Sequence, residues 1–399
     1  MSAPKPSAAD FAVAGGTPLF DRPLPVGQLN FPSAERYEDA MRRIMKRRYF
    51  TNHGPLVVEL EARLEEYLGV RNVLTVTNAT IGLYLAALGL GLTGKVVMPA
   101  FTFVATAQAM AWAGLEPVFC EVDPDTHQIS PATVEAAIEP EVSAVVAVNL
   151  WGGSCDPGRL EAWASDQGLP LLFDSAQGFG VSTGGRRLGG FGAAEVFSFH
   201  ATKVVSSGEG GCIATNDDEL AERIRNMRSN YGIRRPIEVP LTVNGRMSEG
   251  QAALALMSLD DFEYNRERNA SLRNIYRSGL AAVDGSRIVE PTHVEASNHY
   301  SLVCEVDAGE FGMTRDRLME ILHAEGVLAR RYFFPGVHRT TPFDSDFPRN
   351  VDVLPATDHL CSRVMQLPVG ALVGHDDVER ICDLIGAVKQ FAPVLAVNR

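Results

Sequence analysis

The chain of 399 residues is 46% hydrophobic and 21% charged, which is ordinary for a globular enzyme of two or three domains. Its net charge of −13, from 36 basic and 49 acidic residues, argues against a broad surface for nucleic acid or anionic membranes but permits a small basic pocket. The six cysteines form no C-x-x-C pair, and we see neither an export signal nor an apolar run of the ~20 residues that span a bilayer. We therefore expect a cytoplasmic protein with no disulfide framework, metal site, nucleic-acid partner or membrane partner.

The predicted elements follow in chain order from an N-terminal arm, residues 1–30, which is rich in proline, glycine and alanine. A helix is predicted next, over Pro55–Leu68, because apolar residues recur there at helical spacing. Short apolar runs then alternate with helical segments, which predicts an α/β domain with a mostly parallel sheet flanked by helices. The predicted strands of this sheet are 73–76, 96–98, 118–122, 144–148, 171–173 and 196–199. Beyond about residue 270 the pattern becomes α+β, so we predict a large domain over 31–265 and a smaller C-terminal domain over 266–399.

Two polar residues of this sheet define a candidate site. Asp174 ends a buried apolar run, and Lys203 follows the next run on a loop rich in glycine. Because the carboxyl ends of parallel strands meet at one edge, both side chains are expected to face a ligand crevice. A lysine amine can condense with the aldehyde of pyridoxal phosphate, and a carboxylate can keep the cofactor's pyridine nitrogen protonated. The alternative is a solvated lysine and an aspartate that caps a helix.

Two further sites are suggested by position alone. Residues 77–80 lie where a strand turns into a helix, so the free backbone N–H groups at Ala79 and Thr80 could hold a phosphate. Residues of this kind also cap helices that bind nothing. His200, three residues before Lys203, could reach the substrate or could satisfy a local hydrogen bond.

Six segments between residues 75 and 259 resemble the DegT/DnrJ/StrS family of pyridoxal-phosphate-dependent nucleotide-sugar aminotransferases. They occur in the family's order and at about its spacing, and they read TNATIGLYLAALGLGL, MPAFTFVATAQAMAWAGLEPVFCEVDPDT, NLWGG, FDSAQGFG, FSFHATKVVSSGEGGCIATND and NGRMSEGQAALALMSL. The resemblance implies a fold-type-I pyridoxal-phosphate-dependent transferase that acts as a homodimer with shared active sites.

The resemblance also assigns roles to residues. It implies that Lys203 bonds covalently to the cofactor and that Asp174 pairs with its pyridine nitrogen. The other cofactor residues that it implies are Ala79, Thr80 and Ser198 at the phosphate, Phe103 on the ring face, Gln177 beside the ring hydroxyl and Asn244 from the partner subunit. The substrate residues that it suggests are His200, Arg331, Tyr332 and His338. A core aromatic at Phe103, an ordinary turn at Asn244 and mere packing of the second-domain residues remain alternatives.

The implied reaction moves an amino group from an amino acid, with L-glutamate favoured, to a nucleotide-linked keto-deoxysugar through pyridoxal and pyridoxamine phosphate. The wording FSFHATK resembles members that aminate carbon 4, whereas the Tyr-Pro-Gly that precedes the lysine in carbon-3 members is absent. One alternative is a sugar dehydratase, but the related dehydratases carry histidine in place of Lys203. Another is a non-catalytic regulator that binds the cofactor or a sugar.

Overall fold

The computed structural model describes residues 5–229, 237–345, 347 and 354–396. The α-helices are α1 (Ala34–Arg47), α2 (Pro55–Leu68), α3 (Ala79–Gly89), α4 (Val104–Trp112), α5 (Pro131–Glu135), α6 (Pro157–Gln167), α7 (Asp218–Met227), α8 (Glu249–Asp260), α9 (Phe262–Leu280), α10 (Ala308–Phe311), α11 (Arg315–Ala324), α12 (Pro355–Arg363), α13 (His375–Gln390) and α14 (Ala392–Leu395). The strands are β1 (Leu24–Pro25), β2 (Asn72–Val76), β3 (Lys95–Pro99), β4 (Glu116–Cys120), β5 (Val142–Val148), β6 (Leu171–Asp174), β7 (Ser182–Thr183), β8 (Arg186–Arg187), β9 (Ala194–Ser198), β10 (Gly211–Thr215), β11 (Ser286–Ile288), β12 (Leu302–Val306), β13 (Val327–Leu328) and β14 (Val364–Leu367).

The central sheet has the strand order β2-β10-β9-β6-β5-β3-β4. Every neighbouring pair is parallel except those of β10, which runs antiparallel to both β2 and β9. The prediction of a mostly parallel sheet is confirmed, while β10 was not among the predicted strands. Because β10 runs antiparallel to β9, a loop alone connects the two strands. The alternation of strands and helices that predicted the other strands is therefore absent at this point in the sequence. The carboxyl ends of the other strands meet at one edge.

Helices cover both faces of this sheet, because its strands are apolar on both sides. One core lies under α2 and α8, and a second lies under α3, α4 and α7. Helix α3 packs very close to the sheet, since a Cβ at Gly82 would lie 2.8 Å from Cγ1 of Val196. This contact brings the first turn of α3 to the edge where the strands end.

The C-terminal part has its own antiparallel sheet, β11-β12-β14, packed against α9, α11 and α13. The N-terminal segment belongs to this part, because β1 pairs in parallel with β13 and Phe11 and Phe20 are buried in its core. Buried Glu325 accepts the backbone N–H groups of Ala12 and Leu19 at 2.7 and 2.8 Å. Described residues from the early and the late parts of the sequence therefore build the smaller unit together.

Helix α9 links the two parts, and the boundary predicted between residues 265 and 266 lies inside it. Phe262 packs in the core under α2 and α8, whereas Leu272 and Tyr276 pack in the C-terminal core. This single helix therefore contributes side chains to the cores of both units.

All six cysteines are buried and none is in a disulfide. Burial raises the thiol pKa of Cys304, Cys361 and Cys382 to about 12, so these thiols pack as small apolar groups at neutral pH. Within the described residues, no helix combines the length and apolar character of a membrane-crossing segment.

Candidate active site

A cavity of about 380 Å³ opens at the edge where the parallel strands end. Five strands each place a polar residue on its wall at or just after their last residue, as expected for this fold. These residues are Asn78 after β2, Thr102 after β3, Asn149 after β5, Asp174 in β6 and Ser198 in β9. Of the residues predicted from sequence, the cavity brings together Ala79, Thr80, Phe103, Asp174, Gln177, Ser198, His200, Lys203 and Tyr332.

Asp174 is buried at the bottom of this edge, with 6% of its surface exposed. Its Oδ2 accepts the hydroxyl of Thr106 at 2.7 Å, and its Oδ1 accepts the backbone N–H of Ala176 at 3.0 Å. Burial raises the pKa of Asp174, although these two hydrogen bonds and the charge of Lys203 oppose the rise. A cationic group placed against this carboxylate would recover the desolvation cost.

Lys203 lies on the loop between β9 and β10. Its Nζ is 3.4 Å from the hydroxyl of Tyr300 and 4.7 Å from the centre of that ring. The loop is held from outside by the N-terminal segment, because Gln28 donates its backbone N–H to Thr202 O at 3.1 Å and its amide to Tyr300 O at 2.7 Å. The amine therefore projects into the cavity from a fixed backbone.

The first turn of α3 presents hydrogen-bond donors that suit an anion, and we call this group the anion cradle. Asn78 caps the helix by accepting the backbone N–H of Ile81 at 2.9 Å. The N–H groups of Ala79 and Thr80 have no acceptor within the helix, and the helix dipole favours negative charge at this end. Ser198, at the end of β9, also lines the cavity and adds a hydroxyl. These groups suit a phosphate.

Aromatic side chains and the amide side chain of Gln177 form another part of the cavity wall. Gln177 accepts the backbone N–H of Trp151 at 2.9 Å, and the Trp151 indole stacks on Phe333 with ring centres 5.1 Å apart. Phe103 is 53% exposed at the mouth, where its ring and that of Tyr332 pack edge-to-face with their centres 6.5 Å apart. A flat ring entering the cavity could therefore stack on Phe103.

His200 lies at the rim. Its Nδ1 is 2.9 Å from the hydroxyl of Thr202, and its Nε2 is 3.9 Å from a carboxylate oxygen of Glu209. The local hydrogen bond that sequence reasoning left open is present, and the ring still lines the cavity.

Three predicted residues do not line the cavity of their own chain. Asn244 is exposed, and the following residue, Gly245, accepts the backbone N–H of Thr77 at 2.9 Å. Arg331 is exposed and pairs with Asp316 at 3.3 Å. His338 is buried with its Nε2 3.0 Å from Asp358, and burial lowers its pKa despite that carboxylate.

Sequence reasoning missed three residues that matter to the site: Thr106, Tyr300 and Arg330. Thr106 lies inside α4, where only contact with Asp174 distinguishes it from a core residue. Tyr300 comes from the C-terminal part and belongs to no motif. The family resemblance suggests Arg331, whereas the structure places its neighbour Arg330 on the cavity wall.

The cavity's side chains fit pyridoxal phosphate. A buried carboxylate, a lysine amine and a helix N-terminus all face the same cavity. The carboxylate suits the pyridinium nitrogen of the cofactor, the amine suits its aldehyde, and the helix N-terminus suits its phosphate. Among the described residues there is no cluster of three or more histidine, cysteine or acidic side chains that could hold a metal ion.

Known proteins are similar to this sequence over most of its length. A dTDP-4-amino-4,6-dideoxy-D-glucose transaminase of Shigella dysenteriae is 33% identical over 377 residues, covering 92% of this chain and 100% of that protein. A UDP-2-acetamido-2-deoxy-3-oxo-D-glucuronate aminotransferase of Pseudomonas aeruginosa is 32% identical, covering 82% of this chain and 89% of that protein.

A solved structure shares the fold closely. The crystal structure of DesI in the presence of its TDP-sugar product superposes with a TM-score of 0.91 at 42% identity, covering 96% of this chain and 97% of that one. This likeness confirms the fold-type-I architecture. The family model for the DegT/DnrJ/EryC1/StrS aminotransferases matches residues 33–386. The chain therefore belongs to the DegT/DnrJ/EryC1/StrS aminotransferase family.

Proposed function

We propose that this chain binds pyridoxal phosphate and transfers an amino group from an amino acid to carbon 4 of a nucleotide-linked keto-deoxysugar. L-Glutamate is the amino-acid donor that we expect. The observation that carries the proposal is the meeting of Lys203 and Asp174 in one cavity with the anion cradle of α3. We further propose a cytoplasmic location, which the six unpaired cysteines support.

The cofactor, when bound, supplies an aldehyde that accepts the amino group and a ring that withdraws electrons from the reacting carbon. The amine of Lys203 would then move a proton as general base and acid within the cavity. Asp174 would hold the pyridine nitrogen in its charged form, and Ala79, Thr80 and Ser198 would hold the phosphate. Phe103 would pack on the ring face, and Gln177 would lie beside the ring hydroxyl.

The nucleotide sugar is supported by the substrates named in the relatives, which include a 4-amino-4,6-dideoxyglucose and a 3-oxo-glucuronate. Carbon 4 is favoured over carbon 3 by the segment FSFHATK, which lacks Tyr-Pro-Gly before the lysine. A dehydratase is disfavoured because position 203 is lysine. A non-catalytic regulator is disfavoured because both Lys203 and Asp174 are retained and face the same cavity.

A panel of substrates tests this proposal. The purified enzyme, converted to its pyridoxamine form with L-glutamate, should regain the absorbance of the pyridoxal form when a thymidine-, uridine- or guanosine-linked 4-keto sugar is added, but not when the matching 3-keto sugar is added. NMR of the product should place the new amine on carbon 4. Recovery only with 3-keto sugars would move the reaction to carbon 3, and no recovery with any sugar would overturn the assignment.

We also propose a homodimer in which Asn244 completes the partner's site. Asn244 is exposed and lies outside the cavity of its own chain, on a loop bound to the turn between β2 and α3. Large apolar side chains on and beside α1 are exposed, including Phe31 at 52% and Met45 at 64%. Exposed apolar groups of this size support a surface that a second copy covers.

Mixing two defective variants tests the shared site. If Asn244 crosses to the partner, heterodimers of Lys203→Ala and Asn244→Ala subunits contain one site with both residues intact and one with neither. Activity after subunit exchange should therefore exceed that of either parent. Exchange can be followed with differently tagged subunits. If exchange is complete and activity stays at the parental average, Asn244 does not act across the interface.

A further inference from the structure

Arg330 is the one guanidinium on the cavity wall formed by the described residues. The only other lysine or arginine on that wall is Lys203, whose amine has to react. Asp174 and Glu209 are the acidic lining residues, so the cavity has little positive charge to spare. Arg330 is therefore the lining cation that can pair with an anionic group of the substrate throughout the reaction.

The backbone of Arg330 is fixed against β14. Its N–H donates to Gln366 O at 3.1 Å, and its carbonyl accepts the N–H of Gln366 at 2.7 Å. Its guanidinium lies 3.5 Å from the hydroxyl of Tyr332, whose ring meets Phe103 at the cavity mouth. Across the part of the chain that the structure describes, no carboxylate lies within ion-pair distance of Arg330. The backbone of Arg330 is therefore fixed, while its side chain is exposed at the cavity wall and its charge is available to a ligand.

The next residue has the opposite environment. Arg331 pairs with Asp316 at 3.3 Å, and its guanidinium lies 4.5 Å from the ring centre of Phe334. Neither Asp316 nor Phe334 lines the cavity. Two adjacent arginines therefore divide into one that faces the site and one that is engaged elsewhere.

We propose that Arg330 binds the carboxylate of the amino-acid donor, an inference that rests on the proposed aminotransferase function. The donor's α-carboxylate is one bond from the carbon whose proton Lys203 moves, so it must enter the same cavity. A carboxylate that leaves water requires charged hydrogen-bond donors, and the planar guanidinium fork matches its two oxygens.

The diphosphate of a nucleotide sugar fits this position less well. It is attached at carbon 1, across the sugar ring from carbon 4, so it lies further from the lysine than a donor carboxylate does. A cavity of about 380 Å³ is near the small end of ligand pockets, and it must also hold the cofactor. The space left in this cavity for a diphosphate and a nucleotide is therefore small.

The test compares the variants Arg330→Gln, Arg330→Lys and Arg331→Gln. Glutarate binding and the L-glutamate half-reaction are measured on the pyridoxal form, and the keto-sugar half-reaction is measured on the pyridoxamine form. Calorimetric titration with glutarate, a dicarboxylate that cannot transfer an amine, measures binding apart from reaction. Single-turnover absorbance measures the L-glutamate and keto-sugar half-reactions separately. Arg330→Gln should raise the Kd for glutarate and the half-saturating L-glutamate concentration about 10- to 100-fold. Arg330→Lys should fall between it and the wild type, because charge remains but the fork is lost.

The outcomes separate the possible errors. Arg331→Gln should leave the Kd for glutarate near the wild-type value, and a defect there instead of at Arg330 would overturn the proposal. A defect of Arg330→Gln confined to the keto-sugar half-reaction would assign the residue to the diphosphate and also overturn it. If Arg330→Gln keeps a wild-type melting temperature and wild-type glutarate affinity, the inference fails. A wild-type enzyme that reacts with no donor would instead remove the proposed function.

Discussion

Replacing Lys203 by alanine should abolish transamination and the covalent attachment of pyridoxal phosphate while leaving the fold intact. The side chain lies on a loop and contacts Tyr300 across the cavity, so its removal opens no cavity in the apolar cores. Loss of a positioned proton-transfer group alone lowers rates about 10²- to 10⁴-fold, and loss of the covalent link adds to that.

Borohydride reduction followed by peptide mass spectrometry provides the measurement. In the wild type the cofactor should be fixed to the peptide that contains Lys203, and in Lys203→Ala no peptide should carry it. Lys203→Arg is the matched control, because it keeps a positive charge that cannot condense with an aldehyde. A label found on a different lysine in the wild type would refute the assignment.

Asp174→Asn should lose about 10²- to 10³-fold in transamination rate while retaining the cofactor, because a neutral amide cannot hold a charged pyridine nitrogen. The amide can replace both existing hydrogen bonds. Its oxygen can accept from Ala176 N, and its NH₂ can donate to the Thr106 hydroxyl, which can rotate toward Thr102 at 3.1 Å. Stopped-flow absorbance of each half-reaction measures the rate, and near-normal turnover would contradict the role.

The same variant has a distinct effect on stability without the cofactor. Burial raises the pKa of Asp174, so the folded state holds its proton more tightly than the unfolded chain does. The favourable contribution is complete below the ordinary aspartate value of about 3.9 and is lost as pH rises through the raised value. Cofactor-free Asp174→Asn should therefore melt at or above the wild-type temperature at pH 7 to 8, with the difference shrinking near pH 4. A clear loss of thermal stability at neutral pH would show that Asp174 does not carry this burial cost.

The sheet and the central pair of residues could be predicted from sequence because they depend on local patterns. Strands buried on both faces produce continuous apolar runs, and the break in such a run at Asp174 marks the edge where ligands bind. Lys203 follows the next run within a cluster of turn-forming residues. The fold therefore places both residues in the cavity without information from distant parts of the chain.

The rest of the site depends on contacts that local patterns do not encode. Tyr300 reaches Lys203 from a position 97 residues later in the chain. Arg330 and Arg331 are identical as letters, but pairing of Arg330 with Gln366 gives this segment an extended backbone whose successive side chains point to opposite sides. The resemblance pointed to Arg331, whereas the structure turns Arg330 to the cavity. Asn244 depends on a second chain, so its role stays a prediction.

The smaller unit combines an early and a late part of the sequence, so it can fold only late in synthesis on the ribosome. The backbone N–H of Leu19 cannot form its native hydrogen bond until Glu325, 306 residues later in the chain, has been synthesised. At roughly 5–20 residues per second, that interval is about 15–60 s, during which Phe11 and Phe20 have no native core to enter and remain available to chaperones. Gln28, which holds both Thr202 and Tyr300, waits with them. A nascent chain that stops before residue 300 lacks the contact between Lys203 and Tyr300, so catalytic competence should emerge only after the C-terminal part has been synthesised.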